Sequence, residues 1–242
     1  MLNLIKADLY KSFHRAYLYV IIICLAGLAV LVNVIVAQSD CSVEKALQLI
    51  LELLVYPLFL VCLFSDMTTA EENKEHSLKN TIAAGVSRSK VYFAKQISTL
   101  IIGLITGIIT IGIYMASDFL LMRSDGSFSQ TFSNLMPYLG TAFLCYIAAC
   151  FLSTALAFII QKNALFSISY FGILVFPALL FRLLTYANPI FLEFEKLTLF
   201  MQTNSIVTTA PERLINIVWV AAIHLVVFFF AGLLIFRQQE VN

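Results

Sequence analysis

Apolar residues fall into six runs of about twenty positions, at 17–37, 46–64, 94–116, 139–160, 164–184 and 214–236, with polar stretches between them. One helix of that length crosses a hydrocarbon core about 30 Å thick. The pattern therefore predicts an all-α integral membrane protein of six transmembrane helices. Only Gln161, Lys162 and Asn163 separate the fourth run from the fifth, which calls for a tight interfacial turn. No period of about 20–50 residues repeats and no linker interrupts the chain, so residues 1–242 form one membrane domain.

Three segments outside the runs carry patterns of their own. In residues 1–16, Leu2, Ile5, Leu9 and Phe13 recur at helical spacing, while Lys6, Asp8, Lys11, His14 and Arg15 fill the remaining arc. Such a helix lies in the interface, apolar stripe down and basic residues beside lipid phosphates. Residues 186–213 alternate apolar and polar positions, which suits short helices dipping into the outer interface. Residues 65–93 are charged: acidic residues cluster first (Glu71, Glu72, Glu75) and basic ones follow, an order that complements a helix dipole. Gly85 is placed to end that helix in a left-handed cap and Ser87 to cap the next. A short helix, a sharp break and a membrane helix result, and the short helix can act as a lever on the spans beside it.

Composition agrees with a membrane protein: 61% of residues are hydrophobic, 12% are charged, and mean hydropathy is +0.93. A formal charge of +1 points to no nucleic-acid partner, and the distribution of charge says more than its sum. An inward amino terminus puts ten Lys and Arg in the cytoplasm (Lys6, Lys11, Arg15, Lys74, Lys79, Arg88, Lys90, Lys95, Lys162, Arg237). Five remain outside (Lys45, Arg123, Arg182, Lys196, Arg213). That bias predicts both termini on the cytoplasmic side. The run at 17–37 exceeds the roughly 7–15-residue core of a secretory signal, so it is expected to stay as the first span. Five cysteines make no disulfide framework.

Polar groups within the runs are candidates for a pathway. Glu52 in span two and His224 in span six lie at similar depth, where a carboxylate costs about 2.5–3.5 kcal/mol unless it meets protein or water. They pair with each other or reach water separately. Pro57 and Pro177 each remove a helical hydrogen bond and are candidate hinges. Gly103 and Gly107, with Thr99, form a small-residue ladder for close helix contact. No metal or cofactor is expected: zinc needs three converging protein ligands, whereas Glu71, Glu72 and His76 sit in a charged loop far along the chain from His14 and His224. None of the nine glycines precedes a lysine, so no phosphate-binding loop of the G-x-x-x-x-G-K-[ST] kind is present.

Glu72, Leu78, Lys79, Asn80, Gly85, Val86, Ser87, Arg88 and Lys95, at their spacing after span two, resemble the corresponding region of ABC-2 type transporter permeases. His76 departs from the Gly often found there. The amphipathic start, six-span layout and external segment before span six are similar too. The resemblance implies the permease subunit of an ATP-driven exporter in the bacterial cell membrane. Its partners would be two ABC ATPase subunits, a second permease copy or paralogue, and membrane lipid. A coupling helix in this loop would seat in a groove of the ATPase, a role carried onto Glu72, His76, Leu78, Lys79, Asn80, Gly85, Ser87 and Arg88. Spans two and five would border the route, with Glu52, Pro57, Pro177 and His224 as pathway or hinge positions. By analogy the cargo is an antimicrobial peptide, lantibiotic or similar amphiphile. A secondary transporter or channel, or a membrane immunity or scaffold protein, stands as the alternative.

Overall fold

The computed structural model describes residues 1–238 except Asp40, Glu75, His76, Asp125 and Gln161, and excludes the side chains of Ser77, Lys79 and Asn163. The described residues are almost wholly helical. In chain order the helices are α1 (Leu2–Phe13), α2 (Ala16–Ala37), α3 (Val43–Leu53), α4 (Tyr56–Ser65), a π-helical turn (Asp66–Ala70), α5 (Glu71–Lys74), α6 (Ser77–Ala83), α7 (Arg88–Leu121), α8 (Phe128–Ile159), α9 (Asn163–Leu184), α10 (Phe191–Lys196), α11 (Leu199–Ser205) and α12 (Leu214–Gln238). Helices α2, α7, α8, α9 and α12 are long and apolar enough to cross a membrane.

The second span is broken. Helix α3 and the run from α4 through α5 meet at a bend of 58°. Pro57 stands in the first turn of α4, where its missing N–H costs no helical bond. The bent pair is a full crossing. Val43 N donates to Arg123 O just beyond the end of α7, whereas Glu72 bonds Lys95 near its start. Within α7, Lys95 and Leu121 are about 40 Å apart at the helical rise. One end of the bundle thus carries α1, α5 and α6 (the α1 end), and the other carries α3, α10 and α11 (the far end).

Helix α8 is the central post. Two-thirds of its apolar window is buried, against about a fifth for α2, α9 and α12. Ala148, Ala149, Cys150 and Ala157 on α8 are fully enclosed, and their small side chains let neighbours approach closely. Gly103 on α7 faces α8 in the same way. The space a Cβ would fill there is taken by the Tyr146 ring. Among the described residues nothing lies within contact distance of a Cβ at Gly107, so the ladder read from the sequence touches a neighbour helix at Gly103 and not at Gly107.

Helices outrun the apolar runs at several ends. α7 extends from Arg88 to Leu121 and α8 starts at Phe128, eleven residues before its apolar run. Residues 128–138 mix polar and apolar side chains, so hydropathy marked the apolar part of that helix and not its length. Residues 186–213 form α10, α11 and two short 3₁₀ turns, as the alternating pattern predicts.

Candidate functional site

Lys95 lies about two turns into α7 and is almost fully buried. A buried ammonium needs partners, and two helices from distant parts of the chain supply them. Lys95 Nζ donates to Asp8 Oδ1 on α1 at 2.7 Å and to Glu72 Oε2 on α5 at 2.5 Å. Glu72 Oε1 also accepts from Lys11 Nζ at 2.8 Å, and Asp8 Oδ2 accepts from Ser98 Oγ at 3.2 Å. Arg15 forms an ion pair with Glu71 beside this cluster. The network ties α1 and the end of span two to the start of span three.

The two carboxylates sharing Lys95 are shifted in opposite directions. Burial pushes the Asp8 carboxyl above its usual range, and Lys95 pulls it only part of the way back. Burial acts likewise on Glu72, but Lys95 and Lys11 together outweigh it and leave that carboxyl below its ordinary value. This geometry corrects the reading of α1. Helical spacing puts Asp8 on the polar arc with the basic residues, yet it is buried with Ile5 and Ser12. The reason is a cation 87 positions along the chain, which no local periodicity reveals.

Span two reaches this cluster through the π-helical turn, where Glu71 N donates to Asp66 O, five residues back. Thr68 Oγ1 lies 2.7 Å from Thr99 Oγ1 on α7, and Ser65 Oγ lies 3.5 Å from Thr154 Oγ1 on α8. Asn73 Nδ2 donates to Ala157 O and Phe158 O, the open carbonyls at the end of α8. A π turn inserts one residue into the helix and often marks a functional position.

Helix α6 follows. Leu78 is buried among Val91, Tyr92, Phe158, Leu233 and Phe236, with Ile82 and Val86 packed against them. Asn80, Ala83 and Ala84 face outward. Gly85 ends the helix at φ +86°, the left-handed conformation its position predicts. Ser87 takes the N-cap position of α7, where its carbonyl accepts from Val91 N and its side chain makes no capping bond. Arg88 turns back to the last turn of α12, donating to Phe236 O at 3.3 Å and Arg237 O at 3.1 Å, while Arg237 donates to Ser89 Oγ. The final carbonyls of α12, the negative pole of that helix, are thus held by a cation.

The candidate coupling residues therefore divide. Glu72, Leu78 and Arg88 bind α6 and its flanks to the bundle; Asn80 and Gly85 are exposed. His76 lies outside the described residues, and of Lys79 only the backbone, within α6, is described. Sequence reasoning gave Asp8, Lys11 and Arg237 other roles and did not single out Asn73. For Asp8 the signal was Lys95, set among mostly apolar residues at 91–97, which implies buried carboxylates elsewhere.

The candidate pathway residues sit apart from this cluster. Glu52 is exposed on α3, in line with Lys45 and Gln48 at helical spacing, while Val43, Ala46, Leu47 and Ile50 of the same helix are buried. His224 Nδ1 lies 2.9 Å from Val220 O, and no hydrogen bond joins His224 to Glu52 among the described residues. Helix α9 continues through Pro177.

The family model for the ABC-2 family transporter protein matches residues 4–178, from α1 through most of the fifth span. No curated protein matches the chain. With nearly three-quarters of its length covered, the chain belongs to the ABC-2 family of transporter proteins, the multi-pass membrane permeases that work with ABC ATPases.

Proposed function

We propose that the protein is the permease of an ATP-driven exporter of the bacterial cell membrane. It pairs with a second permease copy or paralogue and two ATPase subunits, and expels a peptide, lantibiotic or similar amphiphile. The α1 end faces the cytoplasm, a reading supported by Lys6, Lys11, Arg15, Lys74, Arg88, Lys90 and Arg237 gathered there. The observation that carries the proposal is the two-sided character of α6. Its inner face is anchored by Leu78 and Ile82, and its outer face presents Asn80 and Ala83, with Ala84 just beyond its end, small enough to seat in a groove of an ATPase.

ATP-driven closure of the ATPases pushes α6. The push passes through α5 and Glu72 to Lys95 on α7, and through the π turn to the bend of span two. The exposed polar line Lys45, Gln48 and Glu52 is costly against lipid and supports a water-filled or partner-lined route beside α3.

Co-purification tests the reading. An ABC ATPase encoded beside this chain is expected to copurify with the wild type and to be lost from Asn80→Trp, whose bulk blocks the groove while the bundle stays folded. An Asn80→Trp protein that still holds the ATPase and transports normally would overturn the assignment of α6.

A further inference from the structure

A cavity of about 320 Å³ opens between α8, α9, α11 and α12. That is near the lower end of small-molecule sites, which start at roughly 300 Å³. Leu152, Leu174, Leu199 and Phe228 make its inner walls apolar. Ile173, Ile223 and Val227 form an outer rim exposed on the membrane-facing surface of the bundle. The cavity is therefore reached from the bilayer.

Its few polar groups share one character. His224 Nδ1 lies 2.9 Å from Val220 O. A carbonyl only accepts, so in the neutral imidazole Nδ1 carries the ring proton and Nε2 is the lone-pair acceptor. Pro177 has no N–H, which removes the usual helical donor to the carbonyl of Ile173, another lining residue. Thr198 has spent its hydroxyl proton on Glu195 O and accepts from Met201 N. The site thus offers acceptors within apolar walls and supplies no donor of its own.

We propose that this cavity binds a membrane amphiphile with a long apolar chain and a hydrogen-bond-donating head, a hydroxyl or an ammonium, held at His224 Nε2. The complementarity is specific. A chain without a donor fills the walls but leaves the imidazole nitrogen unpaired, and an acceptor-only head sets two lone pairs against each other. The inference concerns occupancy alone and does not rest on the permease reading.

Thermal unfolding of the full chain in detergent tests it, with Trp219, the single tryptophan, as the fluorescent reporter. The probes are dodecan-1-ol and its methyl ether, which keeps the chain and the acceptor but loses the donor. The alcohol is expected to raise the unfolding temperature saturably, by roughly 3 °C or more over the ether. His224→Phe is expected to abolish the difference between the two probes. Leu152→Phe, which narrows the cavity and leaves His224 intact, is expected to abolish it as well, and it serves where the first variant folds poorly. Equal shifts with both probes in the wild type would overturn the proposal, as would an undiminished preference for the alcohol in either folded variant.

Discussion

Helix α7 buries charge or polarity at both ends, and the two ends are built differently. At the α1 end, Lys95 is paired with Asp8 and Glu72, and the oxygens left over are bonded by Lys11 and Ser98. At the far end, Asp118 is fully buried, yet neither carboxyl oxygen has a hydrogen-bond partner among the described residues. Asn33 on α2 donates to Tyr114 O and Ser117 Oγ, but its own oxygen is equally unpartnered. Three elements converge on one cation at the first end, so the cation registers whether all three are in place. The second end holds α2 to α7 by neutral hydrogen bonds and leaves acceptors over. Compensated charge makes a joint that fails as a unit; uncompensated acceptors lower stability without linking anything.

Breaking the joint gives the largest effect. Lys95→Met leaves the buried Asp8 carboxylate without its cation and takes from Glu72 one of its two lysines, and is expected to cost about 3–5 kcal/mol, read as a fall in unfolding temperature or in folded yield. Adding Asp8→Asn and Glu72→Gln should recover most of that loss, because no buried charge is then left unpaired: Lys11, which loses Glu72, is exposed. A triple variant no more stable than Lys95→Met would show that packing, and not charge, governs this end.

Next comes the end of α6. Gly85→Ala places a Cβ at φ +86° and should cost about 1–2 kcal/mol. The strain falls on the helix break, and among the described residues no atom lies within 4 Å of the added Cβ. Transport is therefore expected to fall more than stability, and a parallel fall of both would argue that the break is structural only.

At the far end the sign reverses. Asp118→Asn replaces an unpartnered buried carboxyl without breaking a described bond, so stability should hold or rise by about 1 kcal/mol. A loss near that of Lys95→Met would mean the two ends are built alike.

The smallest effect is the opposite displacement of two carboxyls at the α1 end. Burial raises Asp8, and two lysines outweigh burial to lower Glu72, so on acidification Asp8 is expected to take its proton above the ordinary aspartate range and Glu72 below the ordinary glutamate range. Difference infrared spectra of the carboxyl stretch, assigned with Asp8→Asn and Glu72→Gln, check both directions.

The spans were legible because apolar runs of about twenty residues have one physical use. Gly85 was legible because a left-handed cap favours the residue without a Cβ. Pro57 was read as a kink within one helix. In the structure it begins a second helix beyond a break at Leu54 and Val55, since Pro is tolerated in a first turn. The π turn gave no local signal: within it Thr68 meets Thr99, 31 positions along the chain. The candidate site was half legible for the same reason. Glu72, Leu78 and Arg88 stand in a local motif, whereas Asp8 and the last turn of α12 reach it only through folding.

The central claim is that motion of α6 enters the bundle through the charged joint at Lys95. The triple variant Asp8→Asn, Glu72→Gln, Lys95→Met removes the joint while sparing the fold, and transport per ATP hydrolysed, measured in proteoliposomes with the partner ATPase, is the direct test. The account predicts bound, hydrolysing ATPase with transport reduced at least about tenfold, equivalent to 1.4 kcal/mol or more of lost coupling. Transport per ATP equal to that of the wild type would contradict it.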